Sequence, residues 1–218
     1  MSALPFDPKA VIFDLDGTLL NTEPLYTEAA QKILTPHGHH YTMELKRKVM
    51  GGDTIRSAQL TINEFNLPMT AQEFLNERQT YLEILFPEAE EIEGAGGYLQ
   101  LLYSKNIPIG IATSSYRHLF NLKIKKRDWY SKLSISVCGD DTELNKGKPE
   151  PDIFLLCAKR MGIKTSDIVA FEDSRNGVLS AKAAGMTVVA IESIYTTAED
   201  LSEADLVIKN YNSLLTKL

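Results

Sequence analysis

The sequence predicts an α/β fold: a doubly wound parallel sheet with an all-helical segment inserted after its first strand. Three observations lead there. Short apolar runs without alternation lie at residues 10–15, 107–112, 134–138, 168–171 and 187–191, as expected of parallel strands covered on both faces. Helical patterns fall between them, and strand alternating with helix implies a doubly wound sheet. The stretch from 20 to 91 breaks this alternation with amphipathic patterns only.

In chain order, the first strand is 10–15. The helical insert follows, carried by Tyr26, Ala29, Ala30 and Ile33, then Ile55, Leu60 and Ile62, then Phe74, Leu75, Arg78, Tyr81 and Leu82. Gly94, Gly96 and Gly97 are expected to mark the return to the sheet. A later helix spans 151–161, with Pro151 and Asp152 at its start and Gly162 at its stop. Another runs over 176–184 and ends at Gly185. The division expected is a catalytic core of residues 1–19 and 92–218 and a helical domain of 20–91.

With 218 residues, 44% apolar and 24% charged, the chain can bury a core. Its net charge of −6 argues against a nucleic-acid partner. A local pocket can still be positive and take a phosphorylated ligand. Cys138 and Cys157 sit in apolar runs and read as buried free thiols. The first ten residues lack the features of a secretory signal, and no apolar run approaches the roughly 20 residues that span a bilayer. A soluble, cytoplasmic protein is expected, with a monomer as the default.

The chemistry lies at strand ends. Asp14-Leu15-Asp16-Gly17-Thr18 follows the first strand, where open α/β sheets bind ligands. A bare Asp-Gly is usually only a turn. The full string arises by chance in on the order of one chain in several hundred, and it stands in a structural context that gives it meaning. Asp14 can attack phosphorus, and Asp16 can protonate the leaving oxygen and then deprotonate water. Thr113-Ser114-Ser115 ends another strand and offers hydroxyl and N–H donors to a phosphate, or simply a helix cap. Lys148 is held extended by Pro149 and can neutralise charge at phosphorus. Glu172-Asp173 ends a further strand. Four converging carboxylates would raise one another's pKa values, a conflict that a hard cation such as Mg²⁺ resolves.

These residues resemble the haloacid-dehalogenase-like phosphatase superfamily. Asp14 to Thr18, Thr113, Lys148 and Glu172-Asp173 match its four motifs in order. The resemblance implies a Rossmann-like core, a helical cap and Mg²⁺. It makes Asp14 nucleophile and metal ligand, and Asp16 acid/base and metal ligand through its backbone carbonyl. It makes Asp173 a direct metal ligand and Glu172 one through water, with Thr113, Ser114 and Lys148 binding phosphate. The branch it is most similar to contains pseudouridine-5′-phosphatase and glycerol- and sugar-phosphate phosphatases. Asn21 stands where that branch usually has Asp, and residues 116–128 also depart from it. In this cap type Arg47, Met50, Gly51 and Gly52 lie where a loop meets substrate. Against that, Lys46-Arg47-Lys48 reads rather as a solvent-facing run on a helix, and His37, His39 and His40, which resemble a metal cluster, read rather as an exposed loop around Gly38. The implied substrate is a nucleoside, sugar or polyol phosphate. The rivals are a phosphomutase of the β-phosphoglucomutase type and a non-catalytic binding protein on the same fold.

Overall fold

Six strands pair in parallel because their residues are apolar on both faces. They are β1 (Ala10–Phe13), β4 (Ile109–Thr113), β5 (Ile135–Cys138), β6 (Ile168–Glu172), β7 (Thr187–Ile191) and β8 (Leu206–Ile208), in the order β5-β4-β1-β6-β7-β8. The structure is a computed structural model and describes residues 7–49 and 54–215, with Arg47 described by its backbone only.

Strand β8 is absent from the sequence reading. It is three residues long at the sheet edge, with Val207 half exposed, too short and too mixed to announce itself. Also unread was a two-residue ribbon, β2 (Leu20–Asn21) antiparallel to β3 (Glu90–Glu91), which pairs Leu20 with Glu91.

Contacts divide the chain into two units. One is residues 22–89; the other comprises the described residues up to 21 and from 90 onward. The sheet unit carries α5 (Ala95–Ser104), α6 (Arg117–Ile124), α7 (Asp152–Met161), α8 (Arg175–Ala183) and α9 (Asn212–Leu215). Helix α7 ends at Gly162 with φ 68°, a left-handed stop that suits glycine. Gly96 and Gly97 lie inside α5 rather than at the sheet, and Gly94 caps that helix at φ 80°. The glycine cluster that suggested a return to the sheet is thus the start of a helix. On one side of the sheet Phe13, Phe171, Tyr98 and Tyr211 form a buried aromatic stack, with Phe13 and Phe171 centroids 4.8 Å apart.

The helical unit comprises α1 (Glu23–Leu34), α2 (Met43–Val49), α3 (Thr54–Phe65) and α4 (Ala71–Leu85). Its core holds Ala30, Ile33, Leu34, Ala58, Ile62, Leu67 and Phe74. Helix α4 starts with a capping box: Thr70 Oγ1 accepts from the Glu73 N–H, and the Glu73 carboxylate accepts from the Thr70 N–H at 2.8 Å. Ile55 and Leu60, read as buried, are exposed; α3 instead buries Ala58, Thr61 and Ile62. Small residues carry that face because α3 packs closely on α2 and α4. Among the described residues, no helix is long and apolar enough to cross a membrane.

Candidate active site

Strand β1 is central, with β4 on one side and β6 on the other. The chain leaves β1 toward β4 and β5, then crosses to β6. Such a reversal opens a crevice beyond the carboxyl ends of the strands. Asp14 is the first residue past β1, and its N–H is bonded to the Phe171 carbonyl at 2.9 Å. The chain then turns at Gly17, whose φ is 83°. A Cβ there would come within 2.0 Å of the Asp173 carboxylate, so the turn needs glycine for conformation and for space.

Lys148 joins the motifs. Its ammonium donates to Asp14 Oδ1 at 2.6 Å, to Glu172 Oε1 at 2.5 Å and to the Ala112 carbonyl at 2.9 Å. The lysine read as a candidate from its loop is therefore buried among acids. Glu172 Oε2 accepts from the Asp173 N–H, and Thr18 donates to Asp173 Oδ1 at 3.2 Å. Gly177 lets α8 approach, because a Cβ there would meet the Glu172 carboxyl carbon at 1.8 Å. Asp14, Glu172 and Asp173 offer oxygens within 4.8 Å of one another. Burial pushes Asp14 up to about 7, with Glu172 and Asp16 adding to the rise despite Lys148. Burial also holds Asp173 well above the usual carboxylate range, with repulsion from Glu172 and Asp14 behind it. For Lys148 burial favours the neutral amine, but attraction to Asp14 and Glu172 outweighs it and keeps the ammonium. Three carboxylates around one ammonium leave excess negative charge in a buried place, and an oxygen-liganded divalent cation fits that donor set.

Asp16 is not drawn into this cluster by its side chain. Oδ1 accepts from the Lys123 ammonium at 2.6 Å, and Oδ2 accepts from Ser115 Oγ at 2.7 Å. Lys123 also donates to Ser115 Oγ at 2.7 Å and is fully buried. Sequence reasoning missed Lys123. The legible signal was its place on α6 between Phe120 and Ile124, a charge on the stripe that goes inward. Tyr211 was missed too; its hydroxyl donates to the Thr18 carbonyl at 3.0 Å and steadies the first motif's loop.

Thr113 is buried at the end of β4, and its Oγ1 accepts from the Ser115 N–H at 3.1 Å, leaving its own proton to donate. Ser114 is exposed and lines a cavity of about 180 Å³ with Lys148, Asn145 and Ile153. In the segment that departs from the resemblance, Arg117 is committed to Ser136, with bonds of 2.6 and 2.8 Å. Tyr116 and His118 are exposed.

In the helical unit Lys46 is buried, which corrects its reading as a solvated lysine. Its ammonium binds Thr27 Oγ1 at 2.7 Å, the Glu23 carbonyl at 3.1 Å and the Glu23 carboxylate at 3.2 Å. The stem reaches α1, where the missing water is replaced by protein oxygens. Lys48 is exposed and pairs with Glu44. A cavity of about 300 Å³ inside this unit is lined by Glu23, Tyr41, Lys46 and Arg78 among others. His37 and His40 are exposed, and His39 stacks on Phe65. The Arg47 side chain and the whole of Met50, Gly51 and Gly52 lie outside the described residues.

Fold and site define a class of α/β enzyme whose acidic, lysine-bearing centre lies at the switch point of a parallel sheet. More narrowly, the chain belongs to the haloacid dehalogenase-like hydrolases, whose family profile matches residues 11–191. It is 40% identical over 201 residues to a Drosophila melanogaster protein named a probable pseudouridine-5′-phosphatase, covering 90% of this chain and 87% of that one. It is 40% identical to the Arabidopsis thaliana (DL)-glycerol-3-phosphatase 2, over 83% and 78% of the two chains. Among solved structures, a Thermotoga maritima protein provisionally named a β-phosphoglucomutase superposes with a TM-score of 0.84 at 29% identity, over 95% and 97%.

Proposed function

We propose that the chain is a magnesium-dependent phosphomonoester hydrolase acting on a small phosphorylated metabolite. The observation that carries this reading is the meeting of Asp14, Glu172 and Asp173 around the Lys148 ammonium at the switch point. Two relatives named for phosphatase activity, on pseudouridine 5′-phosphate and glycerol 3-phosphate, support the same class.

The residues divide the work as follows. Lys148 holds Asp14 Oδ1, and Asp14 attacks phosphorus through Oδ2, forming an aspartyl-phosphate as the bond to the leaving oxygen breaks. Thr113 and the Ser114 N–H donate to the phosphoryl oxygens, and the Lys148 ammonium offsets their charge. Asp16 gives its proton to the leaving oxygen, then takes one from the water that hydrolyses the intermediate. When bound, Mg²⁺ held by Asp14, Asp173 and the Asp16 carbonyl, with Glu172 acting through water, supplies positive charge against the phosphoryl oxygens. The helical unit, residues 22–89, is the cap that sets specificity, with Arg47 and Gly51 as substrate contacts and Arg78 lining its cavity. The protein works as a cytoplasmic monomer, without nucleic acid or membrane.

A panel of nucleotide, sugar and polyol phosphates tests the reading. Phosphate release is expected with magnesium present and none with chelator. Asp14→Asn should abolish it, and wild-type turnover by that variant would refute the covalent mechanism. The β-phosphoglucomutase name of one structural relative keeps the mutase reading in view. Hexose 1-phosphate converted to an isomer without phosphate release would favour it.

A further inference from the structure

The geometry points to Lys123 as a positioning residue that, with Ser115, aims the Asp16 carboxyl at the leaving oxygen. The inference rests on the acid/base role proposed for Asp16.

Asp16 lies in the loop after β1, on a two-residue arm from the nucleophile, and a carboxyl there can rotate about its side-chain torsions. Two groups fix it. Lys123 Nζ binds Oδ1 at 2.6 Å, Ser115 Oγ binds Oδ2 at 2.7 Å, and Lys123 also binds Ser115 Oγ at 2.7 Å. The three groups form a closed triangle that leaves the carboxyl plane little freedom. Lys123 is fully buried. Burying an ammonium costs several kcal/mol unless it is well paired, so the residue would be a poor choice for stability alone. Its helix also begins four residues after Thr113, the phosphate donor at the end of β4. The clamp therefore ties the acid/base to the same loop that holds the phosphoryl group.

In the first step the Asp14–phosphorus bond forms, the phosphorus–oxygen bond to the leaving group breaks, and the Asp16 proton moves to the departing oxygen. An alkoxide needs that proton badly; nitrophenolate leaves without it. The ratio kcat/KM reports only steps through the first irreversible one, which is this transfer. A mispositioned Asp16 thus harms alkyl phosphates selectively. A structural tie would lower the folded fraction and scale all substrates alike.

The experiment measures kcat/KM for the best alkyl phosphate of the panel and for p-nitrophenyl phosphate. For Lys123→Met the loss should be about 100-fold on the alkyl ester and under about 5-fold on the aryl ester. The aryl ester should also show a burst of nitrophenol, because hydrolysis of the intermediate still needs Asp16 as base. Ser115→Ala, which keeps the lysine–aspartate pair, carries the test if Lys123→Met does not fold; it should show the same selectivity at about 10-fold. Equal losses on both esters overturn the positioning role. Asp16→Asn separates the two ideas. If it too lacks selectivity, the acid/base reading of Asp16 fails; if it discriminates and the clamp variants do not, only the role of Lys123 and Ser115 fails.

Discussion

Asp14 is buried beside two other carboxylates, and its affinity for a proton follows. In an unfolded chain it would ionise near pH 4, while in the folded protein without metal it is pushed up to about 7. Between these values the folded state keeps a proton that the unfolded state has lost, so stability falls as pH rises from about 4 to about 7. Melting of the chelator-treated protein should show this decline. Added magnesium should oppose it near pH 7, raising stability by about 2.7 kcal/mol at a hundredfold excess over its Kd. A flat melting profile with no response to magnesium would contradict the account of the acidic cluster. The two cysteines give a second residue-level expectation. Burial pushes the Cys138 thiol up to about 11 and the Cys157 thiol up to about 12. At pH 8 both are protonated and shielded, so a thiol reagent should label them only after unfolding. The places of Asp14, Thr113 and Asp173 were legible because each sits at a strand end in a short string, and that of Lys148 because Pro149 follows it in the loop before α7. Lys123 was not, because its meaning comes from a contact 107 positions away in sequence.

At the scale of elements, close approach rather than composition decides what is tolerated. Helix α8 starts at Ser174, whose hydroxyl caps the Gly177 N–H at 3.0 Å, and Gly177 leaves room for Glu172. Gly177→Ala should displace the Glu172 carboxyl and through it Lys148, lowering turnover at least tenfold, while Gly147→Ala, with open space around it, should fold within about 0.5 kcal/mol of wild type. Comparing turnover with urea midpoints for both variants checks this. In the helical unit, Phe74→Ala removes a ring that is 1% exposed and should cost about 3–5 kcal/mol, read as early loss of helix signal in denaturant. Strands β1, β4, β5, β6 and β7 were legible as continuous apolar runs. The pairs β2 and β3 were not, since two residues carry no period. The burial of α3 was misread because Ile55 and Leu60 are hydrophobic but face outward, and periodicity cannot tell which of two mixed faces meets a neighbour.

For the whole molecule, the order β5-β4-β1-β6-β7-β8 explains how motifs scattered from residue 14 to residue 173 collect at one crevice. Alternation of strand and helix implied a doubly wound sheet; the order itself depends on crossovers that no local pattern records. Substrate choice was the least legible property: on the proposed reading it rests on the helical unit, whose interior includes a buried lysine that resembles a surface one. Tyr211 adds a consequence for how the protein is made. Its hydroxyl holds the Thr18 carbonyl across 193 positions, so the loop that carries Asp14 gains this support only after Tyr211 has been synthesised. The first motif's loop is thus completed by a residue made long after it, and contacts of such wide separation in sequence form late in folding.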